Sequence, residues 1–184
     1  MKPDGQMYAL VQGFMPGDTI EQRSKEDKVP YDRWVERGLI TPCPGNRIDH
    51  RYVTDWFARL REEYGISAFW VGYDSWNSPA WVEDMENRLG YVRKENLLPV
   101  IMGAKTLSAP MKLLKADLAA KRINYNRNPL LLWALTNLAV EVDKNENIRP
   151  VKGQNKRQRI DPAVALIIAY TVLQWKLEDY KALI

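Results

Sequence analysis

The sequence is poor in the residues that bind structural zinc and in long apolar runs. Its 184 residues include one cysteine, Cys43, and one histidine, His50. A single cysteine excludes an internal disulfide and fits a reducing cytosol, and the two residues are too few for a zinc finger. The longest apolar stretch, residues 163–172, is well short of the roughly 20 residues of a membrane helix. Residues 1–5 do not resemble a signal peptide, so we expect a cytoplasmic protein without membrane contact.

The sequence also lacks the Gly-x-x-x-x-Gly-Lys-Ser/Thr pattern of an ATP-binding P-loop. A hydrophobic content of 46% and a charged content of 27% are ordinary for one globular domain. The net charge of +4 is a mild bias that is compatible with a polyanionic partner but does not require one. The positive charge is concentrated, however, because residues 149–159 contain five basic residues and no acidic one: Arg149, Lys152, Lys156, Arg157 and Arg159.

Apolar and turn residues alternate along the chain as they do in α/β proteins. We predict an opening strand over residues 8–14, two short helices up to residue 37, an amphipathic helix that Asp49 caps, and a strand over residues 66–73 that is buried on both sides. Helices follow over residues 78–90, 108–122 and 129–137, with a short strand at 98–102, a hairpin over 138–151 and a buried last helix from 162 to about 177. This order predicts an α/β layer fold with parallel strands.

Asp74 follows directly after the predicted buried strand. In open α/β sheets, binding sites collect at the carboxyl ends of the strands, which makes Asp74 a candidate site residue. The alternative is that it caps the next helix. That alternative is weaker because Ser78 and Pro79 already supply a cap residue and a first-turn proline.

Asp161 precedes Pro162 and the last apolar run, a pattern that favours a helix N-cap. It also follows the basic segment, defined as residues 152–159, whose cations could neutralise a phosphate backbone. Two aspartates at the ends of buried elements, beside a basic segment, suit metal-assisted cleavage of phosphodiesters, in which two ions roughly 4 Å apart act together. Mg²⁺ and Mn²⁺ prefer such carboxylate ligands. Lys105 and Lys112, at the start of a predicted helix, form either a solvated face or a second phosphate contact.

Several stretches, in the same order along nearly the whole chain, resemble the C-terminal nuclease domain of large terminase subunits from tailed double-stranded DNA phages. Asp74-Ser75-Trp76-Asn77 is similar to the family's Asp-Arg-Trp-Asn motif, and Arg159-Ile160-Asp161 is similar to its last acidic motif. The remaining similar stretches are residues 29–41, 44–49, 107–112, 128–137 and 147–152. Ser75 stands where the family has arginine, and Pro162 where it has glycine.

The resemblance implies a ribonuclease-H-like mixed sheet flanked by helices, over one domain of residues 1–184. It implies a two-metal endonuclease that uses Mg²⁺ or Mn²⁺ to cut concatemeric double-stranded DNA, with Asp74 and Asp161 as catalytic metal ligands. Phosphate contacts would come from Lys105, Lys112, Lys152, Lys156, Arg157 and Arg159. The partners implied for the whole protein are an ATPase motor domain, a small terminase subunit and a portal, in the cytoplasm of a bacterial host.

The family has an ATPase domain and a first acidic residue on a central strand, and we expect that this chain lacks both. Neighbouring strands would then expose unpaired backbone, so the chain would rearrange, form a strand-exchanged dimer, or take a strand from another polypeptide. With one carboxylate fewer, we expect weak cleavage or none. Two alternatives therefore stay open: an inactive terminase remnant that binds DNA or packaging partners, and a protein-interaction domain whose charges are only solvated.

Overall fold

The computed structural model describes residues 5–76, 78–153 and 159–183. Within these ranges no helix combines the length and the apolar character needed to cross a membrane. In chain order the elements are β1 (Met7–Tyr8), β2 (Gly13–Pro16), α1 (Ile20–Asp27), α2 (Tyr31–Glu36), β3 (Ile40–Cys43), α3 (Arg51–Tyr64), β4 (Val71–Asp74), α4 (Pro79–Leu89), β5 (Leu97–Val100), α5 (Ala104–Ala119), β6 (Ile123–Asn124), α6 (Pro129–Asn137), β7 (Leu138–Val142), β8 (Ile148–Lys152), α7 (Asp161–Trp175) and α8 (Leu177–Lys181).

Most helix ends follow local sequence signals. Gly65 and Gly90 adopt left-handed backbone conformations at the C-caps of α3 and α4, a conformation that glycine adopts without steric cost. At the start of α6, the Asn128 side chain accepts hydrogen bonds from two backbone N–H groups. The N-cap of α3 is His50 and not the predicted Asp49, but the Asp49 carboxylate accepts a hydrogen bond from the backbone N–H of Arg51, at 2.9 Å. These helices therefore match their predicted bounds to within a few residues.

The chain separates into two compact units. The first unit comprises Met1–Val11, Gly72–Ser75 and Pro99–Ile184, and the second comprises Gln12–Val71 and Trp76–Leu98. In the first unit α7 packs against α5 and α6, and α5 also packs against β8. Its core is apolar, as burial of one face of each helix requires, and includes Leu107, Met111, Leu114, Leu130, Leu131, Ala134, Ala163, Ile167 and Val172.

The second unit is built from two helix pairs and a short parallel strand pair. Helix α3 packs on α4, α1 on α2, and α2 on β3. Tyr31 and Trp34 of α2 are buried and meet edge to face, with ring centroids 5.7 Å apart. Cys43 is fully buried, and this burial raises the pKa of its thiol. Both features are those of core residues, which agrees with the prediction of no disulfide chemistry.

The described strands form short pairs. β1 pairs with β6 and β2 with β3, both in parallel, and β4 pairs with β5. β7 and β8 form the predicted antiparallel hairpin, with Leu138 opposite Lys152 and Val142 opposite Ile148. The parallel pairs agree with the predicted α/β layer order, whereas the hairpin is a local structure that its turn residues determine.

The predicted opening strand over residues 8–14 is wrong as a single element. β1 and β2 belong to different units and pair with different strands, β6 and β3. The predicted strand over residues 66–73 is also too long, since β4 contains only Val71–Asp74 and the side chains of Ile66 and Phe69 are exposed. Both errors have one cause: an apolar run does not reveal where its pairing partner begins and ends.

Helix α5 begins four residues before its predicted start at Ser108. Gly103 is its N-cap, and its carbonyl accepts hydrogen bonds from the N–H groups of Thr106 and Leu107. Pro110 lies inside the helix rather than in its first turn. A proline there removes one backbone hydrogen bond. Burial of Leu107 and of the proline itself favours the helix despite that loss.

Candidate metal centre and phosphate-binding surface

Asp74 is the last residue of β4, and its side chain is half-buried. The carboxylate therefore lies at a strand end, as the sequence predicted. The cap residue of α4 is Ser78, four residues later. The interpretation of Asp74 as the N-cap of that helix is thus wrong, which leaves its position at the strand end to be explained by another role.

Asp161 is the first residue of α7, and it is exposed. The N-cap of α7 is Ile160, so the interpretation of Asp161 as the cap residue is also wrong. The first turn of a helix has a positive electrostatic potential that favours an anionic side chain. An exposed carboxylate at that place is chemically available to a cation from solution.

The two elements that carry these aspartates touch at Gly72. A Cβ atom added to Gly72 would lie 2.6 Å from Val172 Cγ2 and 2.8 Å from Ile168 Cγ2, well inside the roughly 3.5–4.0 Å at which carbon atoms pack. β4 and α7 therefore approach closely because residue 72 has no side chain. Asp74 and Asp161 lie on this strand and this helix, within the first unit.

The carboxylate groups of Asp74 and Asp161 are ligands that fit a hard divalent cation, but the described residues provide few such ligands. Carboxylate oxygens are ligands that Mg²⁺ and Mn²⁺ favour. Across residues 5–76, 78–153 and 159–183, no group of three or more His, Cys, Asp or Glu side chains is placed to hold one ion. A Mg²⁺ ion often takes one or two carboxylates and completes its shell with water and phosphate oxygens. Asp74 and Asp161 supply two carboxylates of this kind.

The predicted phosphate contacts lie on two parts of the first unit. Lys105 and Lys112 are exposed on α5, and Lys152 is the exposed last residue of β8. Lys112 Nζ also donates a hydrogen bond to the backbone carbonyl of Glu146, at 3.1 Å. Since an ammonium group has three donors, this bond leaves Lys112 able to contact a phosphate as well.

The other predicted contacts belong to the basic segment. Arg159 is half-buried and directly precedes Ile160 and the start of α7. Lys156 and Arg157 lie outside the described residues. Of the cations of the basic segment, the structure therefore describes Lys152 and Arg159, and Arg159 lies two residues before Asp161.

Sequence reasoning did not assign a role to Asn137, Gly72 or Tyr170. Asn137 is a buried polar residue at the end of α6 whose Nδ2 donates to the Arg159 carbonyl. Tyr170, on α7, donates a hydrogen bond of 2.6 Å to Asp117 on α5. A glycine inside an apolar strand was a usable signal, because it indicates close approach of another element. The other two depend on partners distant in sequence, and no local pattern indicates those.

Comparison with known proteins gives a consistent family. The family model described as terminase large subunit, endonuclease domain, matches residues 1–176. The large terminase subunit of Enterobacteria phage HK97 is 26% identical over 159 residues, which are 85% of this chain and 30% of that protein. Protein YmfN of Escherichia coli (strain K12) is 29% identical over 171 residues, 88% of this chain and 35% of that protein. The chain thus spans about a third of the length of these relatives.

A solved structure extends the likeness to the fold. The crystal structure of the HK97 bacteriophage large terminase superposes with a TM-score of 0.75 at 24% sequence identity, over 86% of this chain and 32% of that one. The predicted ribonuclease-H-like mixed α/β fold is thereby confirmed.

Proposed function

Since the chain belongs to the family of terminase large-subunit endonuclease domains, we propose that it is a metal-dependent endonuclease that cuts concatemeric double-stranded DNA during phage or prophage genome packaging. One observation carries the proposal: Asp74 ends a strand, and Asp161 begins a helix, that are in contact at Gly72. The strand rises about 3.3 Å per residue and the helix about 1.5 Å. Along its own element, Asp74 therefore lies about 7 Å from Gly72, and Asp161 lies about 10 Å from Ile168 and about 16 Å from Val172.

Asp74 and Asp161 would hold the divalent cation, Mg²⁺ or Mn²⁺. In the two-metal form of this chemistry, the bound ions activate a water molecule and stabilise the leaving oxygen. The two side chains would contribute negative charge at a strand end and at a helix start, and sites built on helices and strands are more precise than sites on loops. Water and the phosphate oxygens of DNA would supply the remaining ligands.

The exposed lysines bind the DNA backbone. Lys105, Lys112 and Lys152 are exposed in the first unit, and together with Arg159 they make up the cationic surface that we propose for these contacts. Lys156 and Arg157 lie outside the described residues. Contacts to phosphates fix the position of the duplex but carry no sequence information. We therefore expect binding that salt weakens and that depends little on base sequence.

The partners belong to the whole terminase rather than to this domain. An ATPase motor domain, a small terminase subunit and a portal would act together with it in the cytoplasm of the bacterial host. A strand-exchanged dimer is a further proposal, which sedimentation at several protein concentrations tests.

A second candidate function is DNA or partner binding without cleavage. It is favoured by one observation: among the described residues, no three ligating side chains converge on one point. A site with two carboxylates could bind an ion too weakly to support catalysis. This second candidate keeps the same cationic surface and the same fold.

Plasmid cleavage separates the two candidates. With Mn²⁺, wild-type protein should nick supercoiled DNA, and Asp74→Asn and Asp161→Asn should each lower the rate at least about 100-fold. Asp179→Asn is the matched control, because Asp179 is an exposed carboxylate of the same unit that pairs with Lys176. Salt-sensitive DNA binding with no cleavage at any metal concentration would support the second candidate. Failure to bind DNA at low salt would contradict both cleavage and DNA binding, and would favour a protein-interaction domain.

A further inference from the structure

Asn137 holds both ends of the basic segment. It is the last residue of α6, and its side chain is buried, with 6% of its surface exposed. Its Nδ2 donates a hydrogen bond to the backbone carbonyl of Arg159, at 3.2 Å. Its own backbone carbonyl accepts a hydrogen bond from the N–H of Gly153, at 3.1 Å. One residue is thus bonded to the chain just before and just after residues 154–158.

These bonds are formed close to Asp161. Only Ile160 separates Arg159 from Asp161, and the Ile160 side chain is buried, with 8% exposed. The Ile160 carbonyl also accepts a hydrogen bond from the N–H of Val164 within the first turn of α7, at 2.9 Å. The backbone that carries Asp161 is therefore fixed on one side by the Asn137 amide and on the other by its own helix.

An asparagine side chain is well suited to bind the Arg159 carbonyl. The Arg159 carbonyl requires a donor, and a buried carbonyl without one is unfavourable. A carboxamide supplies that donor without charge, whereas a carboxylate would place oxygen against oxygen. Helix α6 packs against α7, so Asn137 is attached to a rigid neighbour rather than to solvent-exposed chain.

We propose that Asn137 is a positioning residue for the metal ligand Asp161. Through the Arg159 carbonyl, it fixes the backbone two residues before the carboxylate and so sets where that carboxylate can meet a cation. Through Gly153 it fixes the other end of the basic segment. This inference rests on the proposed function, because it takes Asp161 to be a metal ligand. Groups that orient metal ligands typically affect metal affinity 10–100-fold.

Calorimetric titration with Mn²⁺ of the folded protein tests the role without depending on cleavage. Asn137→Leu keeps a similar size and removes the donor. We expect its dissociation constant for Mn²⁺ to rise at least about 10-fold, with wild-type helix content. Thr136→Ala is the matched control: Thr136 is the adjacent residue, and its hydroxyl donates a hydrogen bond within α6, to the Trp133 carbonyl at 2.8 Å. Its Mn²⁺ affinity should equal that of wild type.

If Asn137 has only a structural role, Asn137→Leu will melt at a lower temperature than wild type. Its Mn²⁺ affinity, measured at a temperature at which it is folded, will then equal that of wild type. This result would overturn the proposal. Failure of the proposed function looks different: wild-type protein would bind no Mn²⁺, or Asp161→Asn would bind it as tightly as wild type. If Asn137→Leu does not fold, NMR of the wild type decides. Mg²⁺ should shift the Asn137 side-chain amide resonances in wild type and not in Asp161→Asn. Unshifted resonances in metal-bound wild type would overturn the inference.

Discussion

Replacing Gly72 by alanine adds one methyl group to the contact between β4 and α7. The new Cβ would lie 2.6 Å from Val172 Cγ2 and 2.8 Å from Ile168 Cγ2, whereas carbon atoms pack at about 3.5–4.0 Å. The two methyl groups belong to β-branched side chains, which have few alternative rotamers in a helix. Both side chains are also buried. Relief therefore requires that the strand and the helix separate by about 1 Å.

The expected cost of this separation is large for a single methyl group. Overpacking of a core typically costs about 1–3 kcal/mol, and two stiff, buried neighbours favour the upper part of that range. We expect Gly72→Ala to lower the free energy of unfolding by about 2–3 kcal/mol and the melting temperature by roughly 5–10 °C. Because the shift moves Asp74 relative to Asp161, the cleavage rate should fall as well, by up to about 100-fold.

Urea denaturation followed by circular dichroism measures the stability, and a double-mutant cycle tests the cause. Val172→Ala removes one of the two clashing methyl groups, so its combination with Gly72→Ala should recover at least about 1 kcal/mol relative to the sum of the single effects. Gly103→Ala is the control, because a Cβ there meets nothing closer than 3.9 Å, and it should cost less than about 1 kcal/mol. Equal losses of stability for Gly72→Ala and Gly103→Ala would show that the close contact of Gly72 with α7 is not the cause.

Three further predictions concern hydrogen bonding, pH and DNA. Tyr170→Phe removes the hydroxyl that donates to Asp117 at 2.6 Å, which should destabilise the protein by about 2 kcal/mol in urea denaturation. Hydrogen bonds from Arg51 lower the pKa of Asp49 from 3.8 to about 2. The ionised Asp49 carboxylate therefore stabilises the folded state above about pH 4. This contribution is lost as the pH falls toward 2. Asp49→Asn should remove that part of the pH dependence in thermal melts between pH 5 and 2. Lys105→Ala should weaken DNA binding and lower the slope of log affinity against log salt by about one.

Each of these predictions has a control and a contradicting result. Tyr64→Phe removes an exposed hydroxyl and should leave the free energy of unfolding unchanged. If both tyrosine variants lose the same small amount of free energy of unfolding, the bond from Tyr170 to Asp117 does not stabilise the protein. If the melting temperatures of wild type and Asp49→Asn fall equally between pH 5 and 2, the Asp49 carboxylate does not contribute to this pH dependence. Lys181→Ala removes an exposed lysine paired with Glu178 on α8. If Lys105→Ala and Lys181→Ala have the same slope of log affinity against log salt, the DNA does not contact Lys105.

Local signals in the sequence predicted most of the helices and the hairpin. Asn128 and Pro129 mark the start of α6, and glycines mark the ends of α3 and α4. In the hairpin turn, the Asp143 carboxylate accepts backbone hydrogen bonds from Asn145 and Asn147, and these bonds lower its pKa. All these interactions join residues fewer than five positions apart, so the chain carries them in its local pattern.

The elements that were predicted wrongly, and the residues that were not predicted, depend on interactions between residues that are distant in sequence. The division of the opening strand depends on β6 and β3 as separate partners, and the bond from Asn137 to Arg159 spans 22 residues. For the site, the sequence predicted Asp74 and Asp161 at element ends, where the structure has them, and their role as metal ligands stays a prediction. The sequence could not show that Gly72 brings β4 against α7, because periodicity indicates which residues are buried and not what covers them.

The most direct test of the account is whether Asp74 and Asp161 hold the same ion. Paramagnetic Mn²⁺ broadens NMR resonances of nuclei near its binding site, so a titration of the isotope-labelled protein locates the ion. We predict that substoichiometric Mn²⁺ broadens the amide resonances next to Asp74 and next to Asp161 together, with one titration curve, and that Asp74→Asn or Asp161→Asn weakens both effects. Broadening near only one aspartate, or separate curves for the two, would contradict a shared metal centre.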